Sequence, residues 1–192
     1  EAIADKVAEQ PVVFYTKAEM LPLFKRTFNA MRSSFSTMQY QIDHTELCIL
    51  LVTKLMTGVT GRMLLDKANF YQSSCARQCA RLHELKTAGC EMRILKPTKA
   101  GFACMHVKTW IVDGVELLTG SVNLTHNGLE NNKEHLYSIT HRETVQQVQE
   151  DFDMMWELAT PVKESHMRCM QDNWDKRHQD KKDTWHQVHG KS

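Results

Sequence analysis

His106-Val107-Lys108-Thr109-Trp110-Ile111-Val112-Asp113-Gly114-Val115-Glu116-Leu117-Leu118-Thr119-Gly120-Ser121-Val122-Asn123 is the stretch on which the fold turns. Two apolar, β-branched runs, Phe102 to Val112 and Val115 to Thr119, flank Asp113-Gly114, a strong two-residue hairpin signal. Successive strand side chains alternate between faces, so His106 and Lys108 are expected on one face and Val107 on the other. A neutral imidazole is a nucleophile, and a fixed ammonium beside it can hold a phosphate in line for attack. The pair points to phosphoryl-transfer chemistry without a metal.

Outward from this hairpin, strand and helix patterns alternate. Pro11 to Tyr15 reads as a strand, and Leu21, Phe24, Phe28 and Met31 form the apolar stripe of a helix. Met38, Tyr40 and Ile42 alternate with polar residues as a half-buried strand does. Thr45 to Thr57 is a helix closed by Gly58, Arg62 to Leu65 a strand, and Ser74 to Thr87 a helix stopped by Gly89. Glu91 to Leu95 is a strand leading into the loop Lys96 to Gly101. His135 to Thr140 is a further strand. Thr144 to Leu158 is an amphipathic helix with Val145, Val148, Phe152 and Met155 inward and Pro161 as its stop. The expected fold class is α/β, a mixed β-sheet flanked by helices. The domain covers residues 1–160, and 161–192 form a charged extension rich in His and Trp, its composition shifting from Lys163.

Composition narrows the function classes. The chain has 192 residues, 42% hydrophobic and 24% charged, the balance of a globular protein with a real core. Its net charge is +1, so any basic surface must be local. No run approaches the roughly 18 apolar residues that span a bilayer. The chain starts at Glu1 rather than Met, which is compatible with an upstream signal or anchor. Six scattered cysteines favour free thiols in a reducing compartment, cytoplasmic or, with an anchor, at the mitochondrial surface. Cys75, Cys79 and His83 fall on successive helical turns, too far apart to converge on one ion, and read as buried thiols with a satisfied histidine.

His106-x-Lys108, four residues, Asp113, six residues, then Gly120-Ser121-x-Asn123, resembles the HKD signature of the phospholipase D superfamily in residue type and spacing. The order of elements is similar to the short branch with one motif per chain. That branch includes a small bacterial endonuclease and mitochondrial Zucchini-type proteins. The resemblance implies a covalent phosphohistidine mechanism with no cofactor and no metal. His106 would be nucleophile or general acid depending on the subunit, and Lys108 and Asn123 would grip the non-bridging oxygens, with Ser121 in support. Glu134 falls where the branch places a carboxylate that orients the histidine. Asp113 belongs to the motif, but Asp-Gly is also what a hairpin turn requires, and alternation puts it opposite His106. Ser121 is equally a turn hydroxyl.

One motif supplies one imidazole, so the resemblance further implies a C2 homodimer with a shared cleft. Lys96 and Lys99 would form a basic rim, with Trp110, Phe102 and Phe70 as stacking platforms for a single strand. The leading expectation is a metal-independent phosphodiesterase, an endonuclease on single-stranded nucleic acid. The alternatives are a phospholipid hydrolase and a silent dimer that binds nucleic acid or lipid.

Overall fold

The computed structural model describes residues 10–71, 78–96 and 103–189. Its frame is one mixed sheet of eight strands: β1 (Val12–Tyr15), β2 (Ser34–Gln39), β3 (Thr60–Asp66), β4 (Glu91–Leu95), β5 (Thr109–Val112), β6 (Glu116–Gly120), β7 (Leu136–Ile139) and β8 (Thr160–Pro161). They lie in the order β1-β7-β6-β5-β2-β3-β4-β8. β2, β3 and β4 run parallel, and every other neighbouring pair is antiparallel.

The helices between them are α1 (Lys17–Ala30), α2 (Thr45–Met56), α3 (Lys67–Tyr71), α4 (Gln78–Thr87), α5 (Arg142–Leu158) and α6 (Glu164–His189). α1 begins at a capping box: the Glu19 carboxylate accepts the Thr16 N–H at 2.9 Å. On one face of the sheet Phe24, Phe28, Leu51 and Leu82 from α1, α2 and α4 pack with Tyr15, Phe35, Met63 and Trp110. On the other, Val145, Phe152 and Trp156 of α5 cover Met38, Leu64, Ile111 and Leu117. Helices on both faces force the central strands to be apolar throughout.

That burial explains one departure from expectation. β2 is buried at every residue after Ser34, and it ends at Gln39, so Tyr40 and Ile42 lie beyond it. Both faces of a central strand are covered, and the polar residues Ser36, Thr37 and Gln39 are buried along with Met38. Pro161 likewise does more than stop α5. It pairs with Arg93 as part of the edge strand β8, a place where a residue without an N–H is tolerated.

The expected long strand from Phe102 starts only at Thr109, and residues 103–108 run as irregular chain. Side chains replace the ladder there: Asp66 accepts the Met105 N–H at 2.8 Å, and the Lys108 ammonium donates to the His106 carbonyl at 2.7 Å. The hairpin turns at Asp113 and Gly114, at φ 52° and 68°, the positive values a type I′ turn needs, but Val112 pairs with Glu116, so Val115 joins the turn and β6 starts one residue later than expected.

The chain after Pro161 continues into α6, whose first turns bury Met167 and Met170 in the main core. Cys79 Sγ donates to Gln171 Oε1 at 2.9 Å across the α4–α6 contact, and burial pushes its thiol up to about 11. His83 shares a surface pocket with Val52 and Met56, while Cys75 falls outside the described residues. All five described cysteines are free thiols.

Candidate active site

The sheet's topology gathers one end of six strands. The carboxyl ends of β2, β3, β4 and β6 and the amino ends of β5 and β7 lie on the same edge, where open α/β sheets bind ligands. Of the motif residues, His106, Lys108, Ser121 and Asn123 sit in the loops of this edge, Gly120 is the last residue of β6, and Asp113 lies elsewhere.

His106 and Lys108 enter it just before β5. Their side chains meet on a residue the sequence reading placed in a strand. The exposed His106 imidazole packs edge-on against the Tyr40 ring, centroids 4.9 Å apart, and Lys108 Nζ lies 5.2 Å from the centre of the same ring. Tyr40 thus spaces the nucleophile candidate from the cation candidate by an aromatic contact and a cation–π contact. Lys108 is only 6% exposed. Burial lowers its pKa from the ordinary lysine range, partly offset by Cys104 and Glu134.

Ser121 and Asn123 follow β6, and Glu134 precedes β7. Ser121 Oγ donates a hydrogen bond to Glu134 Oε2 and accepts the His135 N–H at 3.0 Å. Glu134 Oε1 takes the Asn132 amide at 3.2 Å. Among the described contacts the carboxylate is thus held by Ser121 and Asn132, and its expected bond to the His106 ring is not made. Its charge acts instead on Lys108 and on Lys17. Asn123 Oδ1 is buried and meets no hydrogen-bond partner among the described atoms. Gly120 has a steric reason: a Cβ there would run into the His135 carbonyl, which bonds the Ser121 N–H.

Asp113 is not brought to this edge. It sits at the far end of β5, where its carboxylate accepts the N–H groups of Arg32, Ser33 and Ser34 at 2.9, 2.7 and 2.9 Å. Burial raises its pKa, but those bonds and the Ser33 hydroxyl outweigh it, so the net shift is downward. These contacts clamp the α1–β2 turn.

Lys96 is exposed just past β4, and Lys99 lies outside the described residues. The suggested stacking residues Trp110 and Phe70 are core side chains, 2% and 1% exposed, because Trp110 faces Phe28 and Phe35; Phe102 lies outside the described residues. The aromatic surface near the site is a different one. Phe14 packs on His135 and Tyr137, each pair of centroids 5.4 Å apart, and Phe14 and Tyr137 are 44% and 36% exposed.

Three positioning residues escaped the sequence reading. Tyr40 reads as one of the alternating residues of a half-buried strand. Asp66, buried at the end of β3, looks like an ordinary cap, although it holds the residue before His106. Lys17 donates to the Gly128 carbonyl at 2.8 Å beneath the loop that carries Glu134, a contact between residues too distant in sequence to leave a local signal. The loop after β2 is itself tied to the loop after β6: the Asp43 and His44 N–H groups share the Leu124 carbonyl at 2.9 and 3.0 Å.

Residues 24–156 match the family model described as cardiolipin synthase, PLD-like domain, and the chain belongs to this phospholipase D-like family. Curated relatives include the mitochondrial cardiolipin hydrolase of Xenopus tropicalis, 31% identical over 105 residues that make up 55% of this chain and 46% of that protein. The Danio rerio protein of the same name is 26% identical over 131 residues, 68% of this chain and 54% of that one. The chain thus spans about half the length of these relatives. Among solved structures, NucT from Helicobacter pylori superposes with a TM-score of 0.71 at 18% identity, covering 79% of this chain and 98% of that one. Nuc from Salmonella typhimurium, a phospholipase D family member, gives 0.68 at 20% identity, covering 79% and 96%. These likenesses establish the fold, a mixed sheet layered between helices.

Proposed function

We propose that the chain is a metal-independent phosphodiesterase that cuts single-stranded nucleic acid through a phosphohistidine, with one active site shared by two copies. The observation that carries this reading is His106 and Lys108 held against one ring, beside the Ser121–Glu134 pair. His106 Nε2 attacks phosphorus, and the bond to the leaving oxygen breaks as the partner's His106, protonated, gives that oxygen its proton. Water then attacks phosphorus, the P–N bond breaks, and the partner's His106 takes the water's proton. Lys108 and Asn123 hold the non-bridging oxygens, with Ser121 beside them and Glu134 setting the local charge. Lys96 and Lys99 extend the grip along a phosphate backbone, and the exposed Phe14–His135–Tyr137 shelf offers faces on which bases stack.

A second reading, hydrolysis of a phospholipid by the same chemistry, is favoured by the curated relatives, which are named mitochondrial cardiolipin hydrolases. Among the described residues no helix is long and apolar enough to cross a membrane. Incubation in chelator with labelled single-stranded RNA, single-stranded DNA, duplex and cardiolipin vesicles separates the two. Cleavage of single strands, abolished in a folded His106→Ala variant and weakened steeply by salt, is the expected result. Phosphatidic acid products with intact nucleic acid would transfer the assignment to lipid. No product from any substrate would leave a binding protein.

A further inference from the structure

His44 is a buried titratable group that the proposed chemistry does not use. It is 2% exposed, and its Nε2 is sealed from solvent without a well-formed hydrogen bond. That nitrogen faces Glu130 Oε1 at 3.4 Å. His126, four residues before Glu130 on the π-helical turn Asn127–Asn131 and its cap, brings Nδ1 to 3.1 Å from the same oxygen. The two imidazoles stack with centroids 4.4 Å apart, 27° from parallel. One ligand atom from each of the three side chains lies within 4.8 Å of the other two.

We propose that His44 Nε2, His126 Nδ1 and Glu130 bind a divalent transition ion of the zinc type, which fastens the loop after β2 to the turn after β6. Two imidazoles and a carboxylate are a zinc donor set, leaving a fourth position for water. Zinc ligands at about 2.1 Å in a tetrahedron stand roughly 3.4 Å from one another. The two N···O separations, 3.4 and 3.1 Å, already match that edge. The N···N separation is no more than 4.8 Å, so that edge must close by at most about 1.4 Å, and the half-buried His126 and the exposed Glu130 are the members that can turn.

One local bond is given up. His44 Nδ1 caps α2 by accepting the Leu47 N–H at a long 3.4 Å, and with Nε2 on the ion that nitrogen carries the ring proton instead.

The site's placement defines its role. Tyr40 lies four residues before His44, and Asn123 three before His126, so the ion would fix the two loops that present them without touching phosphate. On the reading proposed above, in which no step runs through a metal, the ion would tie the two loops together and take no part in the reaction.

The test is titration of the full chain with Zn2+ by calorimetry and with Co2+ by visible absorption. His44→Ser, His126→Asn and Glu130→Gln are compared with wild type; serine retains an α2 cap while removing the imidazole. The expected result is one ion per chain, a Co2+ spectrum without thiolate charge transfer, and affinity at least about 10-fold weaker in each variant. Zn2+ should raise Tm in wild type and leave the variants unmoved. No binding of Zn2+ would overturn the site, and so would binding unaffected by Glu130→Gln, which would put the ion on the cysteines or the C-terminal histidines. Because the readout is binding, neither result depends on which phosphodiester the enzyme cuts.

Discussion

Lys108 carries a charge where the surroundings disfavour one. Burial lowers its pKa below the ordinary lysine range, against the pull of Cys104 and Glu134. The His106 carbonyl and the Tyr40 face supply part of the lost hydration. A phosphate oxygen would supply more, so the site is primed for an anion. The ammonium is the binding form, and a lowered pKa means it is lost sooner as pH rises. Activity is therefore expected to fall on the alkaline side at a lower pH than an unperturbed lysine would give. Lys108→Arg, which does not titrate in that range, should erase this limb while reducing kcat/KM roughly 10- to 100-fold, because a planar fork does not reproduce a compact ammonium. A pH–rate profile of both proteins checks it. A limb that stays in place in Lys108→Arg would belong to another group.

At the scale of elements, the β5–β6 hairpin joins catalysis to stability through Asp113. Its carboxylate closes the α1–β2 turn with three backbone bonds while its own backbone bends to φ 52°. Asp113→Ala removes the acceptor and puts an alanine in the left-handed region. It should destabilise the fold by about 3 kcal/mol at neutral pH, with turnover per folded molecule unchanged. Because the folded-state pKa is lowered, the aspartate's contribution is present above the unfolded carboxylate's pKa and lost as pH falls through the folded one. Chemical denaturation of both proteins should show the gap narrowing in acid. The turn was legible because Asp-Gly acts within two residues. β4 was legible because alternation shows wherever one face is half covered. The start of β5 was not, because Asp66, 39 residues from Met105, takes over the hydrogen bonds that a strand would make. The period of β2 was hidden because both its faces are buried. Among site residues, His106, Lys108, Ser121, Asn123 and Glu134 stood out by spacing, whereas Tyr40 carries no mark distinguishing it from core until the fold sets it against both His106 and Lys108.

At the scale of the whole molecule, the proposed reaction needs two imidazoles on opposite sides of one phosphorus, and each chain supplies one. His106 is exposed in the chain before β5, its ring edge-on to Tyr40. A lone protomer could attack, but the proposed cycle would then lack the second imidazole that protonates the leaving oxygen. Subunit mixing tests this directly. Wild-type and folded His106→Ala chains are denatured together in varying ratio, refolded, and assayed at constant total protein. If one site draws a histidine from each copy, a dimer with a single altered chain cannot complete the cycle, and activity follows the square of the wild-type fraction. An equal mixture then retains roughly one quarter of the activity. Independent protomers would instead retain roughly half, on a straight line. The quadratic curve is the expected outcome, with sedimentation of the same samples reporting a dimer; a straight line would require the proton donor to be sought within one chain.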